Sequence, residues 1–85
     1  MTTAFKNRIK TAIAQIQDKP ILTEDDYRRI YPAIANNPKA WRVIASSLLD
    51  MNFLTIHQTR TKFAEKVREG AIGSEEFLEC VKKYL

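Results

Sequence analysis

The stretch from Asn37 to Gly70 constrains the chain most. It opens on Asn37-Pro38, a capping residue followed by a proline in the first turn, where the missing N–H costs nothing. Trp41, Ile44, Ala45, Leu48, Leu49 and Met51 then follow in quick succession, with Ser46, Ser47 and Asp50 marking an outer side. Apolar residues that dense bury more than one face of a helix, so a central core helix is predicted over about 38–51. Trp41 is in phase with Ile44 and Leu48 and reads as a core anchor rather than a stacking platform.

A second helix follows after a short turn, Asn52-Phe53-Leu54-Thr55. Asn52 tolerates left-handed backbone angles and is the expected terminator, with Phe53 and Leu54 covering the turn. Thr55 and Gln58 match a capping box, in which each side chain satisfies a free backbone donor of the other. The helix over 55–69 buries Ile56, Phe63, Ala64 and Val67 and stops at Gly70. His57, Gln58, Thr61, Lys62, Glu65, Lys66, Arg68 and Glu69 are left on its outward side, and Arg60 falls at the edge of the buried stripe.

The remaining segments supply helices to cover that pair. Phe5, Ile9, Ala12, Ile13 and Ile16 recur at steps of three and four over 3–18, with Lys6, Arg8 and Lys10 pointing outward. Core packing accounts for this stripe better than a membrane-surface helix would. Pro20 ends the segment by biasing Lys19 away from helical angles. Thr23 then caps a helix whose first turn holds Glu24, Asp25 and Asp26, three carboxylates at the positive end of the dipole, with Leu22 and Tyr27 as a hydrophobic staple. These acids lack the spaced oxygen ligands and Gly-turned loop of a calcium site. Pro32 interrupts this helix, so a short helix over 24–31 is predicted, followed by a kink or a new turn to Ala35. Finally Ser74 caps a helix over 74–84 that buries Phe77, Leu78, Val81, Tyr84 and Leu85, and Lys82 and Lys83 complement its negative end.

Two glycines and three prolines in 85 residues leave little turn chemistry for a many-stranded fold. The expected fold class is therefore all-α, a single small domain of four to five short helices. Met1 to Pro20 mixes apolar and charged residues without a continuous apolar core, so no signal peptide is predicted. No run approaches the roughly 18 apolar residues of a membrane span. The single cysteine, Cys80, makes no internal disulfide and fits a reducing compartment, so a soluble cytoplasmic protein is expected. Fourteen Lys and Arg against ten Asp and Glu give a net charge of +4. Nucleic acid, an anionic surface and an acidic protein all suit that balance.

Over about Ala40–Gly70 the layout resembles a helix-turn-helix, in order of elements rather than in any specific motif. That resemblance implies DNA binding through residues 52–68. Thr55, His57, Gln58, Thr61 and Lys62 would meet base edges, and Arg60, Lys66 and Arg68 would contact phosphate. One short helix reads few base pairs, so a homodimer would be expected with it. The turn lacks its usual glycine, and Glu65 and Glu69 share the face with the lysines, as they would on a solvated helix laced with charge pairs. The alternative is a protein-interaction module, an adaptor, inhibitor or immunity-type factor. Its candidate contacts are Tyr27, Arg28, Arg29, Tyr31 and Arg42, residue types enriched at interface hot spots. DNA stands narrowly ahead of a protein partner. An enzyme is not expected: His57 and Cys80 are isolated, no phosphate-cradling loop exists, and no cofactor or metal site is predicted.

Overall fold

In the computed structural model, which describes residues 2–85, five α-helices follow one another: α1 (Thr3–Gln17), α2 (Glu24–Ile34), α3 (Pro38–Ser47), α4 (Ile56–Arg68) and α5 (Ser74–Val81). A 3-10 turn, Lys82–Tyr84, continues the last. Four of the helices start on side-chain caps, from Thr2, Thr23, Asn37 and Thr55. At α4 both halves of the Thr55–Gln58 capping box are present. That box fixes where the helix begins, because two otherwise orphaned N–H groups are satisfied only in this register. The fold class expected from the sequence is the one observed.

α1 packs on α2 and α5, α3 packs on α4 and α5, and α2 also meets α4. The core between them is aromatic at its centre. Phe63 stacks on Phe77 with ring centroids 5.6 Å apart, and Trp41 and Tyr27 meet Phe63 edge-on at 6.2 and 5.2 Å. Ile16, Leu22, Ile30, Ile34, Ile44 and Val81 close around these rings with no exposed surface. Edge-to-face contacts add about 1 kcal/mol each to the burial of the rings themselves. Trp41 is thus the anchor its phase implied.

The chain between α1 and α2 is held by an ion pair and a backbone clasp. Asp26 is fully buried, yet its carboxylate takes Lys19 Nζ at 2.9 Å, Thr23 Oγ1 at 2.8 Å and Arg29 Nη1 at 3.2 Å. Burial alone would raise its pKa, but the hydrogen bonds from Lys19 and Thr23 and the nearby positive charges outweigh it and hold the carboxyl below its usual range. One residue of the capping triad thereby also stitches α2 to the end of α1. Alongside, Leu22 N–H donates to Ile72 O and Ser74 N–H to Pro20 O, which joins the α1–α2 connection to the start of α5.

Three local expectations are corrected. α2 runs unbroken through Pro32 to Ile34, because Ile30 and Ile34 are buried on either side of the proline and Ala35 N–H still reaches Tyr31 O. Pro32 is exposed, so its ring meets solvent and only the bond to Arg28 O is lost.

α3 ends at Ser47, four residues before the expected end, and the left-handed residue is Asp50 (φ 52°) rather than Asn52. Met51 N–H donates back to Ala45 O across Asp50, which satisfies a carbonyl that a longer helix would have used. The connection to α4 is consequently eight residues, 48–55, instead of a four-residue turn. Leu48 and Leu49 are half-buried, Met51 is exposed, and Phe53 covers nothing.

Ser74 does not cap α5. Gly73 holds that position, and the Glu76 carboxylate folds back so closely that a Cβ on Gly73 would lie 1.8 Å from Oε2. The Ser74 hydroxyl is instead buried without a partner among the described residues. At the other end of that loop the expected stop at Gly70 is observed. Gly70 is left-handed (φ 72°), and Gly70 and Ala71 N–H donate to Val67 and Lys66 carbonyls in a Schellman pattern.

Candidate interaction surface

α4 presents one face to the core and one to solvent. Thr59, Phe63 and Val67 are buried; His57, Gln58, Thr61, Lys62, Glu65, Lys66, Arg68 and Glu69 are exposed. Thr59 was missed by the apolar pattern because it is polar. Its hydroxyl satisfies itself on Thr55 O at 2.9 Å, so the methyl packs inward at little cost.

Most polar groups expected to meet DNA are already engaged within the protein. The Thr55 hydroxyl accepts from Gln58 N–H, and Gln58 Oε1 accepts from Thr55 N–H at 2.9 Å. Thr61 donates its hydroxyl to His57 O. Lys66 lies 3.7 Å from Glu69, and Arg68 3.5 Å from Glu24 of α2. Such exposed pairs are weak, about 0–1 kcal/mol, but they place carboxylates where a phosphate would have to approach.

Arg60 points elsewhere. Its guanidinium carbon sits 5.6 Å from the centre of the Trp41 ring and Nη2 donates to Ala35 O, while Nε is buried without a partner among the described residues. Of the residues expected to meet DNA, only His57 and Lys62 remain exposed without an ion pair or side-chain hydrogen bond among the described residues. They line, with Leu54, Gln58, Thr61 and Glu65, a shallow groove of about 340 Å³.

In the connection before α4, Phe53 is 98% exposed and Met51 39%. Leu54, half-buried, joins Phe53 to the groove wall. Phe53 was not among the residues expected to function. The signal was present, however: it lies between Asn52 and the Leu54-Thr55 approach to the helix cap, in phase with neither helix, so no core position awaits it.

The second set of expected contacts divides across α2. Tyr27 and Tyr31 are half-buried and pack edge-to-face on each other at 5.8 Å. Burial raises the Tyr27 phenol pKa well above its usual value, further raised by Tyr31 and only partly offset by Arg60. Arg28 and Arg29 turn to solvent, Arg28 pairing with Glu24 and Asp25, and Arg29 with Asp26 and Gln15. Arg42 is exposed on α3 with no ion pair among the described residues.

Cys80 is buried on α5, and burial raises its thiol pKa despite a hydrogen bond with Ser47. No group of three or more His, Cys, Asp or Glu among the described residues could hold a metal ion. No described helix is long and apolar enough to cross a membrane. Compared with protein-family models, with curated proteins and with solved structures, the chain matches none.

Proposed function

We propose that this protein is a small, non-enzymatic binding module that engages a partner protein through the 48–55 connection and the first turns of α4, with Phe53 as its anchor. The observation that carries this reading is the 98% exposure of Phe53, next in sequence to Leu54 of the groove wall and two residues from exposed Met51. A phenyl ring left wholly in water gains most when a partner pocket covers it, and aromatic anchors of this kind dominate interface energetics. Met51 adds a flexible side chain that adapts to a partner's contour. Lys62, exposed at the groove and without an ion pair among the described residues, supplies a charge on the rim.

DNA binding, the rival, would have to use the same face of α4 with Glu65 and Glu69 on it and most hydrogen-bonding groups already engaged. A photo-cross-linking aromatic residue at position 53, with position 46 as a control, separates the two. Adducts with a single protein at position 53 only, and loss of that protein's binding in Phe53→Ser, are expected. Tight, steeply salt-dependent binding to mixed duplex DNA that collapses in Lys62→Glu would overturn the proposal in favour of nucleic acid.

A further inference from the structure

We infer that the groove between α1 and α2 is a second docking site, one that takes an acidic, amphipathic segment of a partner protein. It is separate from the Phe53 surface and does not depend on it. The groove encloses about 760 Å³, with Phe5, Ile9 and Pro32 forming apolar wall and Arg8, Arg28 and Arg29 supplying charge. Among the described residues no carboxylate lines it, although Glu24, Asp25 and Asp26 pair with Arg28 and Arg29 beside it.

Each guanidinium is placed differently. Arg8 rests over the Phe5 ring at 6.0 Å, which keeps it at the groove edge, and it has no ion pair among the described residues. Arg29 is fixed by Gln15 and Asp26 through a single nitrogen, Nη1, at 2.6 and 3.2 Å, leaving its other nitrogens for a ligand. Arg28 pairs with Glu24 and Asp25 at 3.3 and 3.2 Å in solvent, and such exposed pairs exchange readily for a partner carboxylate. Planar guanidinium groups bind carboxylates in pairs of parallel hydrogen bonds, so arginine is the residue type suited to this task.

The shape selects a segment rather than a small anion. The groove follows α1 from Phe5 to Gln15, about 15 Å of helix axis, which matches two to three turns of a docked helix. Apolar wall between charged edges matches a helix with one apolar stripe flanked by carboxylates. A contrast within the molecule sharpens this choice. The groove at the other end of α1, about 660 Å³, carries Asp18, Glu75, Glu76 and Glu79 against Lys19 and Lys82, both already paired, so its negative lining disfavours the same segment. The two grooves thus differ in sign along α1, and an acidic helix is favoured in the one lined by arginines.

The test is fluorescence anisotropy with a labelled peptide of about 15 residues, leucines on one helical face and glutamates beside them. Saturable binding is expected, about tenfold tighter than for the same peptide with glutamine in place of glutamate. Arg8→Glu and Thr11→Glu, both at exposed positions, should each weaken binding about fivefold or more, whereas Lys62→Glu and Phe53→Ser should leave it within about twofold. Amide shift changes should fall on residues 5–15 and 28–32. Absence of saturable binding, equal affinity for the two peptides, or loss in Lys62→Glu equal to that in Arg8→Glu would overturn the assignment. Duplex DNA bound more tightly than the acidic peptide, and released by Arg8→Glu, would also overturn it by making the groove a phosphate site.

Discussion

Arg60 and Trp41 meet on one acceptor: Trp41 Nε1 donates to Ala35 O at 3.3 Å, and Arg60 donates to the same carbonyl while its guanidinium lies over the indole. Ala35 is the C-terminal cap of α2, so this carbonyl has no helical partner of its own. Two residues from two helices thereby close the end of a third. Arg60→Met should destabilise the protein by about 1–2 kcal/mol through loss of a charge-assisted hydrogen bond and a cation–π contact. Urea unfolding followed by Trp41 fluorescence checks this. A residue reserved for phosphate would show no such loss.

Asp26 links stability to pH. Its folded pKa is depressed, so it contributes stability that is present above the unfolded carboxylate value of 3.8 and is lost as pH falls through the lower, folded value. Native stability should therefore drop between about pH 5 and pH 2, and the drop should be shallower in Asp26→Asn. At neutral pH that variant should cost about 2–3 kcal/mol, since Lys19 and Arg29 lose their charge partner and one of the two acceptor oxygens becomes a donor facing them. Thermal or urea unfolding at several pH values measures both effects.

Much of this architecture was legible because caps and periodicity act over a few residues. Thr23, Asn37, the Thr55–Gln58 box and Gly70 each place a helix end to within a residue. What was not legible depended on contacts distant in sequence. Pro32 stays helical because tertiary burial of Ile30 and Ile34 outweighs one lost hydrogen bond, and Arg60 turns inward because Ala35 O lies across the fold. At the candidate surface, residue type pointed to the polar face of α4, but side-chain bonds within that face could not be read from spacing.

The end of α3 offers a direct check on one such miss. Asp50 adopts φ 52°, a region that costs a non-glycine residue about 1–2 kcal/mol. Asp50→Gly should stabilise the protein by about 1 kcal/mol, and Asn52→Gly, whose φ is not positive, should give no gain. The reverse ranking in thermal unfolding would return the helix end to residue 51 and restore a short turn.

Ser74 buries a hydroxyl without a partner among the described residues, at the first position of α5. Removing that oxygen removes a desolvation cost and leaves the methylene packing intact. Ser74→Ala should therefore raise stability by about 1 kcal/mol, helped by alanine's better helix propensity. A loss of stability instead would reveal a buried water that the hydroxyl holds.

Phe53 separates function from folding. With 98% of its surface in solvent, it contributes almost no burial to the native state, and Phe53→Ser should change unfolding free energy by no more than about 0.5 kcal/mol. Binding at the 48–55 connection should respond very differently, since truncating an aromatic anchor typically costs about 2 kcal/mol or more. Calorimetric titration of the cross-linked partner against wild type and Phe53→Ser, alongside urea unfolding of both, reads the two quantities on the same samples. Unchanged stability with affinity reduced about thirtyfold places the ring in the interface. Equal affinity would leave Phe53 as surface alone and remove the anchor on which the proposed function depends.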